Sequence, residues 1–187
     1  MALVMRLLYD EHADFSKLLD ILMRQVAKCN EGTTPDYEII EEVLDYSLSY
    51  PVLCHHTKED LVYRKLRVRD AAATDAIGDL EADHEELALL TRRFAATFHQ
   101  TLHQAGAQRE WLSHMIEEFV QFYRRHIDKE EKLFFPAALR TLTAEDWDEI
   151  DAQVTDHQDP LFGDKVSRRF RALLDDIVRL NRADARS

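Results

Sequence analysis

Two stretches of the sequence, HHTKEDLVY and HIDKEEKLFFP, each place a histidine and a glutamate four residues apart. On an α-helix this separation corresponds to about 400° of rotation, so the side chains of His55 and Glu59 project to one side, about 6 Å apart along the axis. The same holds for His126 and Glu130. Imidazole and carboxylate form a ligand set suited to non-haem iron, with manganese and zinc as alternatives. Each stretch can therefore supply two ligands to a metal site.

Two single histidines, His12 and His84, lie on similar faces elsewhere in the chain. Each sits in a run of apolar residues spaced three or four apart, which is typical of the buried face of an amphipathic helix. A carboxylate in an apolar interior costs several kcal/mol unless it is paired or bound to a metal. Polar groups on four such faces need a common explanation, and we favour a metal site over a hydrogen-bonded polar layer. The candidate ligands are His12, His55, Glu59, His84, His126 and Glu130.

The candidate ligands also repeat along the chain. His84 follows His12 by 72 residues, and His126 follows His55 by 71. Each half thus supplies one single histidine and one histidine–glutamate pair. This internal two-fold pattern favours two metal ions bridged by Glu59 and Glu130.

Apolar periodicity predicts four long helices joined by short loops. Gly32 ends the first, Thr34 is the expected cap of the second, and Pro51 is expected to bend the second. Thr74 is a possible cap of the third, and Gly106 separates the third from the fourth. The expected ranges are about 4–30, 35–70, 74–104 and 108–140. Such helices form an all-α, up-down-up-down four-helix bundle.

The candidate ligands are expected at one height in this bundle. Two residues in antiparallel neighbouring helices lie level when their sequence midpoint falls in the connecting loop. The midpoint of His12 and His55 falls between Thr33 and Thr34, inside the first predicted loop. The next two pairs of histidines along the chain have midpoints at the second and third loops. All six groups should therefore share one layer of the core.

Residues 1–140 are assigned to the bundle, and residues 141–187 to a C-terminal helical extension that packs on the bundle or at an oligomer interface. Thr143 and Asp146 resemble a capping arrangement for a short helix. A last amphipathic helix is expected after Pro160. Its apolar stripe comprises Phe162, Val166, Phe170, Leu173, Leu174 and Ile177. This stripe is the basis for expecting a possible homodimer.

Composition limits the partners and the location. The formal charge of −12 argues against nucleic acid or an anionic membrane as the main partner. No apolar run approaches the length of a membrane-spanning helix, and the first residues lack the pattern of a secretion signal. We therefore expect a cytoplasmic protein in which Cys29 and Cys54 are reduced and serve in packing.

This pattern resembles the hemerythrin-like family, also called the HHE cation-binding domain. That family has a single His on the first and third helices and H-x-x-x-E on the second and fourth. The matching residues here are His12, His55, Glu59, His84, His126 and Glu130, and the trailing LFFPAA is similar to bacterial members. The resemblance implies a non-haem di-iron centre that interacts with oxygen, nitric oxide or peroxide, with the four histidines as terminal ligands.

Two departures from the oxygen-carrying members are visible. Those proteins have a second histidine one turn along the third helix, where this chain has Ala88 after His84. They also use H-x-x-x-x-D on the fourth helix, where this chain has Glu131, with Glu130 the better-directed residue. These differences argue against reversible oxygen carriage. They favour O2, NO or redox sensing or iron handling, with a di-iron oxidase or peroxidase-type enzyme as the alternative and a metal-free partner-binding bundle as a third hypothesis.

Other polar residues are given outer roles. His56 and Asp60 are also four apart, but about 100° around the helix from the first pair, which favours a place behind the ligands or at the surface. Tyr9 is assigned to packing, with a hydrogen bond to a metal-bound oxygen species as the alternative. The remaining residues, each expected not to be a ligand, are Glu81, His99, His103, His114 and His157.

Overall fold

The computed structural model describes residues 2–102, 109–154, 161–162, 170, 173–175 and 177–179. These residues contain no strand. Their α-helices are α1 (Leu3–Asn30), α2 (Tyr37–Ser47), α3 (His56–Arg69), α4 (Ala71–Ile77), α5 (Leu80–Leu102), α6 (Arg109–Lys129), α7 (Phe135–Thr141) and α8 (Ala144–Asp151). Helix α1 packs along α6, and α5 packs against α6 and α2. The prediction of an all-α helical bundle is confirmed.

Two π-helical turns interrupt the long helical stretches. The first, Pro51–His55, joins α2 to α3, and the second, Glu130–Phe134, joins α6 to α7. The helical stretch predicted to bend at Pro51 changes there to π-helical bonding, since proline has no amide hydrogen to continue the α-helical pattern. No sequence signal predicted the second turn. One candidate ligand ends the first turn and another begins the second, as is common for π-helical turns at functional sites.

Two predicted helix caps are wrong. Helix α2 is capped by Asp36, whose side chain accepts a hydrogen bond from the Ile39 N–H at 3.3 Å, whereas Thr34 is exposed. Thr74 lies inside the short helix α4, which is capped instead by Asp70. In both cases an aspartate stands directly before the first helical residue, where its short carboxylate reaches the free N–H groups.

The apolar core is divided into two clusters along the bundle. The larger cluster includes Phe15, Leu87 and Phe119, and the smaller one includes Leu8 and Phe134. Leu8 and Phe15 flank His12 on α1, so the layer of candidate ligands lies between the two clusters. Apolar packing on both sides keeps water away from this layer and strengthens electrostatic interactions within it.

The residues after 140 are tied to the bundle by polar contacts. Thr143 and Asp146 form the predicted capping box of α8. The Asp146 carboxylate accepts hydrogen bonds from Arg69 of α3 at 2.8 and 2.9 Å. At the other end of α8, the Asp151 carboxylate accepts the N–H groups of Leu3 and Val4, both at 2.9 Å. Helix α8 therefore supplies the acceptor for two free N–H groups at the start of α1.

Described parts of the predicted apolar stripe also pack on the bundle. Phe170, Leu173 and Ile177 are buried in the larger cluster, and the Leu173 N–H donates to Glu42 at 2.8 Å. Residues 173–175 and 177–179 are helical, while Val166 lies outside the described residues. The domain boundary at 140 and the homodimer stay predictions. Within the described chain, no helix is both long and apolar enough to cross a membrane.

Replacing the cap of α2 tests the revised helix start. Asp36→Ala should lower the free energy of unfolding by about 1 kcal/mol, because the Ile39 N–H loses its acceptor. Thr34→Ala, the matched control two residues earlier, should change it by no more than about 0.3 kcal/mol. Urea denaturation followed by circular dichroism measures both values. An equal loss in the two variants would contradict the assignment of Asp36.

Candidate metal centre

Six buried side chains from separate parts of the fold meet in one layer between the two apolar clusters. Each exposes no more than 9% of its surface, and the two glutamates expose none. They are His12 of α1, His55 of the first π-helical turn, Glu59 of α3, His84 of α5, His126 of α6 and Glu130 of the second π-helical turn. These are the six residues singled out in the sequence, and the structure brings them together.

The carboxylate of Glu59 lies between two groups of imidazoles. Its Oε1 is 3.5 Å from His12 Nε2 and 3.3 Å from His55 Nε2. Its Oε2 is 3.2 Å from His84 Nε2. His12 Nε2 and His55 Nε2 are themselves 3.1 Å apart. The two oxygens of one carboxylate therefore face different imidazoles.

Glu130 repeats this arrangement from the opposite half of the chain. Its Oε2 is 3.4 Å from His12 Nε2, while its Oε1 is 3.3 Å from His84 Nε2 and 3.0 Å from His126 Nε2. We call the space between His12, His55 and the two central glutamates the first position. The space between His84, His126 and the same glutamates is the second position. Each central glutamate, Glu59 or Glu130, offers one oxygen to each position.

Several of these buried atoms lack an aligned hydrogen-bond partner among the residues that the structure describes. They are both carboxylate oxygens of Glu59, Oε2 of Glu130 and Nε2 of His126. An unsatisfied buried polar atom costs about 1–3 kcal/mol. Lone pairs that converge in this way are the environment that a bound cation requires. The donor set therefore fits one or more metal ions.

Three further carboxylates approach the outer nitrogens of the imidazoles. Glu131 Oε1 is 3.0 Å from His12 Nδ1, and Glu11 Oε2 is 2.7 Å from Nδ1 of His55. Asp60 Oδ1 is 3.4 Å from Nδ1 of His84 without an aligned hydrogen bond, so it acts on this imidazole through its charge. At His12 and His55, the hydrogen-bonded acceptor holds the proton on Nδ1 and leaves the lone pair of Nε2 directed into the centre.

This arrangement separates the roles of the two neighbouring glutamates of the fourth long helix. Glu130 is fully buried and faces both positions, whereas the side chain of Glu131 is 38% exposed and contacts only the outer nitrogen of His12 among the imidazoles. The geometry therefore favours Glu130 as the bridging residue and gives Glu131 the task of orienting an imidazole. Sequence spacing alone had left both choices open.

A buried lysine supports one of the outer carboxylates. Lys58 Nζ donates to Glu11 Oε1 at 2.5 Å, and the Tyr50 hydroxyl donates to the same oxygen at 3.0 Å. Lys58 exposes only 6% of its surface and lies over the Tyr50 ring. Glu11 is thus held in place while it contacts His55. The sequence did not predict a role for Glu11 or Lys58 at the centre. The two residues are 47 positions apart and lie on different helices, so their contact depends on how the helices pack.

The protonation of the centre follows from its charges. Burial alone would lower the pKa values of His12 and His84, but carboxylates outweigh it. Hydrogen bonds to Glu130, Glu131 and Glu59 raise the pKa of His12 to about 11. Asp60 and the central glutamates raise the pKa of His84 to about 12. Without metal, His12 and His84 are therefore protonated, and Nε2 of each ring, which faces the centre, carries a proton.

The central glutamates behave in the opposite way. Burial would raise the pKa values of Glu59 and Glu130, but the surrounding imidazoles hold both well below the usual range of a carboxyl group. These groups are therefore ionised, and a dication would replace imidazole protons rather than carboxyl protons. Metal binding should release protons to solvent, as expected for histidine ligands.

His56 takes one of its two expected places, behind the ligands. It is 7% exposed, and its ring stacks on that of His84 with centroids 4.1 Å apart and planes inclined by 5°. Burial and the neighbouring charge of His84 hold the pKa of His56 well below its usual value. The other expected place, at the surface, is excluded. The spacing of His56 from Glu59 indicates the buried side, since residues three apart on a helix are neighbours.

Comparison with known families adds an independent observation. The profile of the hemerythrin HHE cation binding domain matches residues 3–138. The chain belongs to this family. Comparisons with curated proteins and with solved structures give no match. The match covers every residue of the buried histidine–glutamate layer, so the family and the geometry agree on a cation-binding site.

The remaining polar candidates lie outside the centre of this hemerythrin domain. His99 and His114 are exposed, and Glu81 is exposed beside Arg64. Tyr9 packs edge-on against Phe135 with ring centroids 5.1 Å apart, in agreement with its assigned packing role. His103 and His157 lie outside the described residues.

Pockets of different size lie against the centre of the hemerythrin domain. A narrow cavity of about 20 Å³ lies against His12, His55 and His126, with Phe15 and Tyr123 in its wall. Its volume holds about one water molecule or a diatomic molecule. A wider groove of about 620 Å³ runs beside His84 and Ala88, between α3 and α5, and a pocket of about 150 Å³ lies beside His126. The centre therefore has room for a ligand on more than one side.

A first test addresses the outer carboxylate Glu11. Glu11→Gln, made together with Lys58→Met so that no buried cation is left unpaired, should weaken metal affinity about 10- to 100-fold, because His55 loses its charged acceptor. Asp14→Asn on the same helix, where the aspartate pairs with Lys17 at the surface, is the control. Competition with a chelator of known affinity measures the change. Unchanged affinity in the double variant would show that Glu11 does not orient the imidazole.

A second test compares the adjacent glutamates. Glu130→Ala should lose bound metal almost completely, because both positions lose an oxygen ligand. Glu131→Ala should retain its metal with affinity reduced by about 10- to 100-fold, since only the orientation of His12 is disturbed. Metal content after gel filtration gives the occupancy of each variant. Equal occupancy would show that the bridging residue is misassigned.

Proposed function

We propose that this hemerythrin domain binds two non-haem iron ions and uses them in sensing O2, NO or redox state, or in iron handling. One observation carries the proposal: each central glutamate turns one oxygen towards His12 and the other towards His84. A carboxylate placed in this way can bridge two cations. A single ion would leave one oxygen of each buried glutamate without a partner.

The donor set supports iron as the metal. Imidazole and carboxylate ligands suit iron, manganese and zinc, and no cysteine belongs to the described donor set. Iron adds one-electron chemistry and the ability to bind oxygen, nitric oxide or peroxide. Manganese and zinc stay alternatives, and metal analysis decides among them.

The side chains around the centre then determine how such ions respond to a small molecule. Glu59 and Glu130 balance the positive charge, Glu131 and Glu11 hold the imidazoles of His12 and His55 in orientation, and Asp60 adds a negative charge beside His84. The apolar clusters exclude water on both sides of the layer. The narrow cavity beside His12 and His55 has room for about one water or diatomic molecule. These features suit detection of a small molecule.

A second candidate function is a di-iron oxidase or peroxidase-type enzyme. The wide groove beside His84 favours it, because the groove offers more room than a diatomic molecule requires. The two candidates differ in turnover. A sensor binds its ligand stoichiometrically, whereas an enzyme consumes oxygen or peroxide continuously in the presence of a reductant.

The proposal places the protein in the cytoplasm, with a small diatomic ligand or peroxide as its partner. The charge of −12 disfavours nucleic acid and anionic membranes as partners. Cys29 is buried in the larger apolar cluster and Cys54 packs against it, in agreement with the packing role expected for both.

Anaerobic loading with Fe(II) tests the proposal. We expect two irons per chain by elemental analysis, and a rise in the melting temperature on loading because the ions bind only the folded state. Absorption spectra recorded before and after addition of oxygen, nitric oxide or azide should change in the loaded protein only. Protein that retains no iron and gains no stability would refute the proposed function.

The same loaded protein separates the two candidates. Oxygen and peroxide consumption is followed with a reductant in excess. Binding without turnover supports the sensor or iron-handling function, and sustained turnover supports the enzyme. Glu130→Ala is the control for turnover by free iron.

A further inference from the structure

The internal repeat extends from the candidate ligands to an ion pair beside each half of the centre. By the offsets of 72 and 71 residues that relate the two halves, Glu11 corresponds to Asp83 and Lys58 corresponds to Lys129. The structure keeps both contacts, since Lys58 donates to Glu11 and Lys129 donates to Asp83. Each half of the chain therefore holds a carboxylate and a lysine in the same relation to its histidine–glutamate pair.

A second contact of this group is present in the first half only. Glu11 Oε2 also lies 2.7 Å from Nδ1 of His55. The counterpart of His55 is His126, whose Nε2 faces Glu130 at 3.0 Å, but no described carboxylate forms a hydrogen bond or an ion pair with its Nδ1. Aspartate is shorter than glutamate by one carbon–carbon bond, about 1.5 Å. Asp83 therefore reaches the lysine but not the imidazole.

A pocket of about 150 Å³ occupies the place of the missing contact. It is lined by Asp83, Phe122, Arg125, His126 and Lys129, and we call it the His126 pocket. The histidine itself exposes only 7% of its surface. By the repeat, its Nδ1 is directed towards Asp83, as Nδ1 of His55 is towards a glutamate. A nearly buried imidazole thus borders a space that is larger than one water molecule needs.

The charges around the His126 pocket favour an anion. Asp83 and Lys129 neutralise each other. Arg125 adds a positive charge that no carboxylate of the described chain pairs with, and its guanidinium lies 5.7 Å from the centroid of the Phe122 ring. When Nε2 of His126 serves the centre, the single proton of the neutral imidazole lies on Nδ1, which is then a donor. A negatively charged acceptor in the pocket meets both this donor and an unpaired cation.

We propose that the His126 pocket binds a small carboxylate anion, of the size of acetate or hydrogencarbonate. The anion accepts hydrogen bonds from Nδ1 of His126 and from Arg125, whose planar fork of donors suits a carboxylate. The first half of the chain supports this choice of ligand, because there the carboxylate of Glu11 contacts an imidazole and a lysine together. The site lies outside both metal positions, and the proposed iron chemistry is not needed for it.

Binding in the His126 pocket makes the centre responsive to the anion. An acceptor that holds the proton on Nδ1 favours the tautomer of His126 whose Nε2 can bind a metal ion. Anion and metal therefore strengthen each other's binding by the same factor.

Water is the competing occupant, and Asp83→Glu separates it from an anion without a change of charge. The longer side chain reaches His126 as Glu11 reaches His55, so it fills the pocket and displaces a bound anion. The substitution supplies from the chain the carboxylate that we infer comes from solution.

A pair of arginine variants tests the contribution of charge. Arg125→Gln removes the unpaired cation from the His126 pocket. Arg124→Gln is the matched control, because Arg124 carries the same charge on the same helix but pairs with Asp20. Circular dichroism verifies the fold of each variant.

Binding of ¹³C-labelled acetate and hydrogencarbonate is measured by NMR titration of the zinc-loaded and the metal-free protein at constant ionic strength. The wild type should bind at least one of these anions with a Kd on the order of 1 mM, as two charge-assisted hydrogen bonds allow. Asp83→Glu and Arg125→Gln should each weaken binding about tenfold or more. Arg124→Gln should leave it unchanged.

Absence of binding by the wild type would show that water alone fills the pocket, and would overturn the inference. Wild-type affinity in Asp83→Glu would place the anion elsewhere, and equal losses in the two arginine variants would reduce the effect to net charge. Zinc affinity, measured with a competing chelator, should rise with acetate but not with an equal concentration of chloride. This rise should be absent in Asp83→Glu. Because zinc is the only metal used, a failure of the proposed iron chemistry would not affect the result.

Discussion

Two fully buried carboxylates side by side are the constraint on which the rest of the structure depends. Glu59 and Glu130 repel each other, and neither reaches solvent. Such a pair exists in a folded protein only when positive charge is held between and around its oxygens. Without metal, His12, His55 and His84, whose pKa values the carboxylates raise, provide that charge as bound protons. With metal, the imidazoles would instead act as ligands of the cations. Every long helical stretch of the bundle supplies at least one imidazole to this layer.

The surrounding fold serves this charged layer in two ways. The apolar clusters on either side remove water, which strengthens each attraction but also makes any unpaired charge costly. Glu131 and Glu11 then restrict the rotation of the imidazoles of His12 and His55 from outside, by hydrogen bonds to their Nδ1 atoms. The π-helical turns occur where His55 and Glu130 enter the layer. A centre built in this way is ordered before a cation arrives, so less ordering is needed on binding.

Much of the centre could be predicted from the sequence because its main contacts follow helical spacing. His55 with Glu59, and His126 with Glu130, are visible as pairs on apolar faces, and loop midpoints place the pairs at one height. The sequence left His56 either behind the ligands or at the surface, because its spacing from Asp60 does not decide between the two places. Glu11 has no such local signal, since its partners belong to a different helical stretch. Contacts between distant segments depend on how helices pack, which periodicity does not encode.

The caps and turns show the same limit at a smaller scale. Thr34 and Asp36 are both acceptable caps by residue type, and the choice depends on which residue precedes the first helical turn. The second π-helical turn contains no proline that would indicate it in the sequence. It begins at Glu130, whose carboxylate must face both positions at once.

Charge balance in the layer bears on which ligands the centre can accept. With neutral imidazoles, the five carboxylates of Glu11, Glu59, Asp60, Glu130 and Glu131 are opposed locally by two cations, Lys58 beside Glu11 and Arg64 beside Asp60. The partial exposure of Asp60 and Glu131 screens their share of the negative charge. Under the proposed function, two divalent ions would offset the remaining negative charge, so the reduced centre would suit neutral ligands such as oxygen or nitric oxide. Oxidation of either ion would add a positive charge, and the oxidised centre would then suit anions such as azide or hydroxide.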